Sequence, residues 1–247
     1  MGLCGVTVSI NLPDMKQLVA SLAVLAFAAG SAFAQTLPLV PPPLVPPLLV
    51  PPPLVSPAAV APAPKPATVR VTLRTAQGPI VLELERERAP ITTANFLRYL
   101  DQKKLDGAVF YRAMKLTPDG AYGLIQGGAN GDPKRVLPPI RHEPTSRTGL
   151  SHTDGAISMA RGALGTAGSD FFISVGALTS LDADLSKPGD NQGFAVFGHV
   201  AEGMDVVRKI MAAPTSATKG EGVMRGQIIE TPVRIVSARR TPAPTSP

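Results

Sequence analysis

The residues best suited to chemistry in this chain are an arginine and a glutamine set in apolar strings. Arg112 closes VFYR (Val109 to Arg112), and Gln126 sits in the middle of LIQGG (Leu124 to Gly128). SMAR (Ser158 to Arg161), SDFFISV (Ser169 to Val175) and FAVFGHV (Phe194 to Val200) follow, rich in strand-forming residues. An arginine does not serve as a base and a glutamine amide does not titrate, so neither supports proton abstraction or nucleophilic attack. What both offer is fixed hydrogen-bond donors against an apolar wall. Such a site distorts a neutral ligand rather than attacking it.

Other chemistries find little support. His142, Glu143, His152 and Asp154 suggest a metal site, but their spacing fits no HExxH pattern, Pro144 follows the glutamate, and turn residues surround all four. No Ser-His-Asp arrangement is visible. GPI, GGANG and GALG lack the strand-to-helix setting of a phosphate-cradling loop. His199 falls on an expected strand and reads as structural or exposed. The expectation is therefore no metal and no cofactor. The net charge of +6 is carried by scattered basic residues without aromatic interleaving, which describes a solvated surface and not a nucleic-acid partner.

The apolar strings need elements to hold them. Val69 to Thr75 and Pro79 to Glu85 read as strands with Gln77-Gly78 at the turn. Pro90 suits a first helical turn, and Phe96, Leu97 and Leu100 recur at helical spacing toward Leu105. A second helix is predicted from Glu202 to Met211, with Met204, Val207, Ile210 and Met211 on one face and Asp205 in its acidic first turn. A last strand is predicted over Pro232 to Ala238, before a frayed tail at 241–247. Many short strands and two helices describe an all-β barrel or sandwich.

The first 67 residues contain no stretch able to form a core. Met15-Lys16, the apolar run Leu18 to Ala29 and the A-x-A site Ala32-Phe33-Ala34 read as a leader and secretory signal over 1–34. Met15 is the expected initiator and Ala34 the expected cleavage point. The run is short for a bilayer span, so no membrane insertion is expected after cleavage. Cys4 is the single cysteine and would leave with the leader, which removes disulfides and thiol nucleophiles. Residues 35–67 form a tether: thirteen of the 31 residues from Leu37 to Ala67 are proline, a composition that settles into polyproline II or disorder. The tether reads first as a spacer. Docking of its Leu-Val pairs on a partner, and service of its own Xaa-Pro bonds as substrate, are the competing readings.

Taken in order, the five strings resemble the cyclophilin family of peptidyl-prolyl cis/trans isomerases. The resemblance runs from about Val69 to Ile235 and includes GPIVLELERERAPITTANFLRYL and FAVFGHVAEGMDVVRKIM. It implies an isomerase domain over 68–240, all-β with two helices: a closed eight-stranded antiparallel barrel capped by a helix at each end. It also implies an enzyme acting on proline-containing unfolded or extended polypeptide segments; taken with the secretory signal, the expectation is a periplasmic or secreted monomer that assists the folding of exported proteins. Residue by residue, Arg112 matches the arginine of the FHR-type motif that donates toward the prolyl nitrogen. Gln126 matches the glutamine that holds substrate backbone, beside Gly127 and Gly128, which would let the chain pass close to the ligand. Leu124, Phe172, Leu181 and Phe194 would wall the proline ring, and Ala160 and Arg161 would present backbone to the residue before it.

The chain departs from the family at several places. Gly123 replaces a phenylalanine usual before the Leu124 position, and Tyr122 is expected to swing in and supply the ring. Ser180 stands where eukaryotic relatives often carry an aromatic, and there is no tryptophan, so weak cyclosporin binding is implied. Phe194 stands where many relatives have histidine or tyrosine, Asp170 where glutamine is common, and Ala183 to Gly193 is an insertion. The alternative reading keeps the fold without turnover: a chaperone or scaffold that binds proline segments.

Overall fold

The structure, a computed structural model, describes residues 67–242. The leader, the signal, all but Ala67 of the proline tether and residues 243–247 of the tail lie outside the described residues.

Strand β1 (Thr68–Thr75) pairs in full register with β2 (Gly78–Glu85), from Thr68 opposite Glu85 to Thr75 opposite Gly78. The two turn residues are thus Ala76 and Gln77, one place earlier than expected. Gly78 opens the second strand at φ 134°. After helix α1 (Pro90–Asp101) come β3 (Val109–Lys115), β4 (Gly123–Gly128), the single-turn helix α2 (Thr145–Thr148), β5 (Ala156–Met159) and β6 (Phe171–Val175). Strand β7 (Ala195–Glu202), helix α3 (Met204–Met211), β8 (Thr215–Ser216) and the long β9 (Ile228–Arg240) complete the order.

All neighbouring strands are antiparallel, in the order β1-β2-β7-β5-β6-β4-β3-β9, and β9 returns to pair with β1. The result is a closed eight-stranded barrel, with the two-residue β8 added beside β9. Closure leaves no long edge for another chain to pair with. Among the described residues three α-helices are present where two were predicted. The extra one is a single turn between Pro144 and Gly149, too short to leave a periodic signal. The last strand runs from Ile228, four residues before the predicted start, because its early part pairs with β3 and β8.

Strand alternation sends one set of side chains inward. Val71, Leu73, Ile80, Leu82, Phe110, Ile125, Ile157, Phe171, Ile173 and Phe197 are buried in a single core. Helix α1 packs against β2, β7 and β9, and α3 against β2, β3, β4 and β6. Phe96 of α1 meets Phe171 edge-on at 5.3 Å and Phe197 at the same distance. Each such ring pair adds about 1 kcal/mol to the area it buries.

Helix α1 lacks a side-chain cap of its own at Ala89. Buried Glu143 takes that place: it accepts from the Ile91 and Thr92 amides and from the Thr92 hydroxyl, at 3.2, 2.7 and 2.7 Å. A carboxylate there meets the positive end of the helix. This glutamate, one of four residues that could have been mistaken for metal ligands, is a helix cap.

Candidate functional site

A β-bulge sets the direction of the key arginine. Along β3–β4, Phe110 faces Gly127 and Arg112 faces Gln126, so Tyr111 and Arg112 together span one step of the partner strand. The ladder with β9 shifts at the same place. Phe110 and Ala113 both lie in the barrel core. Unbroken alternation would put Arg112 inside with Phe110; the bulge turns it out.

On the outer face, Arg112, Gln126 and Phe172 occupy matching positions on three adjacent strands, Arg112 opposite Gln126 and Gln126 opposite Phe172. Leu124, Phe172 and Leu178 form an apolar cluster separate from the core, with Met114, Ala160, Leu181 and Phe194 packed on it. The Phe172 and Phe194 rings meet edge-on at 5.5 Å. Together these residues wall a groove of about 300 Å³ that contains Arg112, Leu124, Gln126, Ala160, Arg161, Phe172, Leu181 and Phe194, and also Met114, Val223 and Met224. Eight of the nine residues picked out from the sequence therefore converge.

Tyr122 does not. Its ring lies over Gly176, where an added Cβ would come within 2.7 Å of it, and it is 48% exposed. The strand explains the failure. Gly123 begins β4 at φ 150°, and a Cβ there would stand 1.9 Å from the Met114 carbonyl oxygen and 2.3 Å from Met211 Cε. The position cannot carry a ring, and the residue before it leaves the sheet away from the groove. Gly128, at φ 140°, is needed for a different reason from the one expected: the space of its missing Cβ is filled by Asp170 and Ser169, and that of Gly127 by Phe110 and Val109, not by a ligand.

Polar contacts fix the guanidinium. Arg112 donates from Nη1 to Gln126 Oε1 at 2.8 Å and from Nε to Gln227 Oε1 at 2.8 Å, while Nη2 meets the Met114 sulfur at 3.5 Å. Burial lowers its pKa from the ordinary arginine value. It stays a cation, since arginine titrates far above neutrality. Gln126 Nε2 donates to the Tyr111 hydroxyl at 2.6 Å. Burial and then Asp170 raise the Tyr111 pKa above the usual phenol value.

Arg161 braces the groove wall through its side chain. It grips Asp190 bidentately at 2.6 and 2.9 Å, donates to the Gly193 carbonyl, and lies 5.3 Å from the centre of the Phe194 ring. The inserted loop is thus tied to the groove wall. The Arg161 guanidinium holds the Asp190 carboxyl at about 2, so the grip is intact at neutral pH. The Ala160 amide donates to the Asp170 carbonyl at 2.8 Å, which leaves the Ala160 carbonyl as the group this stretch can offer.

Behind the wall, His152 stacks on Phe172 with the rings 5.6 Å apart and 8° from parallel. It is held by Asp182 at Nδ1 (2.5 Å) and by Ser158 at Nε2 (3.1 Å). Burial lowers its pKa from the ordinary histidine value despite Asp182. Although the three residue types match a hydrolytic triad, Ser158 is fully buried, so no substrate reaches its hydroxyl. Asp154 is engaged by Arg208 and by the Gly176 amide. Among the described residues no cluster of three or more His, Cys, Asp or Glu side chains is placed to hold a metal ion.

Residues 69–240 match the family described as cyclophilin type peptidyl-prolyl cis-trans isomerase/CLD. The chain belongs to the cyclophilin family. A peptidyl-prolyl cis-trans isomerase of Acinetobacter baylyi is 36% identical over 177 residues, covering 70% of this chain and 86% of that protein. Peptidyl-prolyl cis-trans isomerase B of Escherichia coli is 33% identical, over 59% of this chain and 85% of that one. The fold is also that of a crystal structure of a cyclophilin type isomerase of Cryptosporidium parvum: TM-score 0.56, 20% identity, with 72% of this chain and all of that one covered. A second crystal structure of that protein was obtained in the presence of the dipeptide Ala-Pro. The reading of the sequence as a cyclophilin-type barrel holds. Gln227, Met114, Tyr111 and Met224 are site residues that it missed.

Proposed function

We propose that the groove holds an Xaa-Pro segment of an extended or unfolded polypeptide while its peptide bond rotates between cis and trans. The chain is a peptidyl-prolyl cis-trans isomerase by family, and Arg112 is the residue we assign to the rotation step.

The prolyl bond resists rotation because the nitrogen lone pair is delocalised into the carbonyl, a barrier of about 18–20 kcal/mol. A donor placed against that nitrogen, as it pyramidalises, favours the localised lone pair and weakens the double-bond character. No bond to the protein forms and no proton is transferred. An acceleration of about 10³ to 10⁵ needs only about 4–7 kcal/mol of preferential transition-state binding. Two or three charge-assisted donors in a water-poor groove are of that order.

The observation that carries this reading is the fixing of Arg112 at the groove by two glutamine oxygens. Three of the guanidinium's five N–H groups are engaged, one of them only by the weak acceptor Met114, and two remain for a ligand. Phe172, Leu124, Leu181 and Phe194 take the pyrrolidine ring, while Gln126 and the Ala160 carbonyl meet the backbone on either side. The presence of Ala-Pro in a crystal of the C. parvum cyclophilin is in keeping with a proline dipeptide as the unit recognised. The lysine, apolar run and A-x-A site at 15–34 support export, with the proline-rich stretch as a spacer and a monomer acting on exported clients.

A second reading has one observation in its favour. Phe194 leaves the groove wall without the polar tip that a histidine or tyrosine would give it there, which favours holding a proline segment over turning it. Exchange spectroscopy on an Ala-Pro peptide with the intact chain separates the two. Catalysis gives cis–trans exchange cross-peaks that grow with enzyme at millisecond-to-second mixing times. Binding that shifts the peptide resonances without exchange would replace the isomerase by the holding protein.

A further inference from the structure

Arg112 and Gln126 end a longer row of hydrogen bonds, and the row has only one allowed direction. A guanidinium has donors and no acceptor, so Gln126 must turn Oε1 toward Arg112 Nη1. That places its Nε2 on the Tyr111 hydroxyl, as donor. The phenol oxygen accepts there and gives its own proton to Asp170 Oδ2, at 2.8 Å. The other carboxylate oxygen accepts from the Asn130 amide at 3.0 Å and from the Ser169 hydroxyl at 2.8 Å. Three donors converge on Asp170, a side chain that, ionised, has two acceptor oxygens and nothing to donate.

We propose that Tyr111 and Asp170 are positioning residues for the isomerisation, locking the Gln126 amide in the one orientation that steadies Arg112 and leaves the second Nε2 proton for the bound peptide. The proposal rests on Arg112 and Gln126 being the polar groups that meet the substrate. A flipped amide would set Nε2 against a cation that only donates. A freely rotating tyrosine hydroxyl could donate to the flipped oxygen and stabilise that wrong state; Asp170 keeps its proton turned away. The phenol remains protonated, since burial and the neighbouring carboxylate both raise its pKa.

The sequence carries the same coupling. Tyr111 is the middle residue of FYR (Phe110 to Arg112), where the FHR-type motif has histidine, and Asp170 stands where glutamine is common. These two departures are bonded to one another. An asparagine or glutamine at 170 would turn an NH₂ toward at least one of three donors. The bulge at Tyr111 makes the contact possible, because it brings Tyr111 and Arg112 to the same side of β3.

The test uses the intact chain, an Ala-Pro tetrapeptide and the variants Tyr111→Phe, Asp170→Asn and the double variant. Each single change is expected to lower kcat about 5- to 30-fold, the order expected for loss of one well-oriented buried hydrogen bond, with KM within about twofold of the parent. The double variant is expected to be no more than about twofold worse than the weaker single, because both act through one chain. Wild-type kcat in Tyr111→Phe, with Arg112→Ala and Gln126→Ala still defective, overturns the relay and leaves the site reading standing. Wild-type kcat in Arg112→Ala removes the site reading itself. A loss confined to KM, or additive losses in the double variant, also overturns the relay. One further measurement needs no variant: the Gln126 Nε2 proton facing Tyr111 is expected to exchange with water at least about tenfold more slowly than in a free glutamine amide, and exchange at the free rate contradicts the proposal.

Discussion

Arg112 and Gln126 face one another across the β3–β4 ladder, and the arginine Nη1 donates to the glutamine Oε1 at 2.8 Å. The pair is rigid because each member has a second anchor: Arg112 Nε on Gln227 and Gln126 Nε2 on Tyr111. Orientation of this kind is where an enzyme without covalent chemistry gains rate, since the donor meets the developing lone pair without first having to be ordered.

Gln227 follows from that relationship. It stands just before β9 and holds the Nε edge of Arg112, away from the apolar wall. Gln227→Ala should lower kcat about 3- to 10-fold and change KM little, since the ring pocket is untouched. Steady-state isomerisation rates across a range of peptide concentrations check this. Unchanged kcat would mean that Gln126 alone suffices to hold the guanidinium.

Gly123 should tolerate no side chain. With a Cβ 1.9 Å from a backbone oxygen and the backbone at φ 150°, Gly123→Ala should destabilise the chain by about 2–4 kcal/mol. Chemical denaturation of both forms measures it. A variant as stable as the parent would show that β3 and β4 can separate there at little cost.

His152 makes stability depend on pH below neutrality. Burial lowers its folded pKa, so the unfolded chain takes up a proton at higher pH than the folded one does. The stabilisation of the neutral ring is complete above about pH 6.5, the ordinary histidine value, and is lost as pH falls toward the lower folded value. Thermal unfolding from pH 7.5 to 5 should therefore show a falling midpoint in the parent. His152→Gln should fall less over the same range, whatever its starting stability. Equal slopes would assign the acid sensitivity to other groups.

The legible and illegible parts of the structure differ in a physical way. Alternation in VTLRT and IVLEL marks inward and outward faces, and helical spacing marks the two main helices, but period alone leads only to a barrel or sandwich: FFISV is buried at every position and has no alternation to read, and the closed eight-stranded barrel follows from the family resemblance. The Arg112, Gln126, Phe172 row was found through ordered strings that a family shares. Tyr111 was missed because a bulge breaks the alternation without leaving a glycine or proline to mark it. Gln227 lies in a turn-rich stretch, KGEGVMRGQ, where nothing local says that its amide reaches back 115 positions to Arg112. His152 and Asp182 are 30 residues apart and only the fold joins them. Tyr122 failed as a replacement ring because Gly123 fixes the exit of the strand, a steric fact set by the Met114 carbonyl and Met211.

The most direct measurement is the rate of cis–trans exchange in an Ala-Pro peptide with the intact chain and with its Arg112→Ala form, at matched stability. The account predicts that the parent accelerates exchange well beyond the spontaneous rate and that the variant loses about 10²- to 10³-fold of kcat/KM, as expected for removing a principal transition-state donor. Equal acceleration by the two proteins would contradict it.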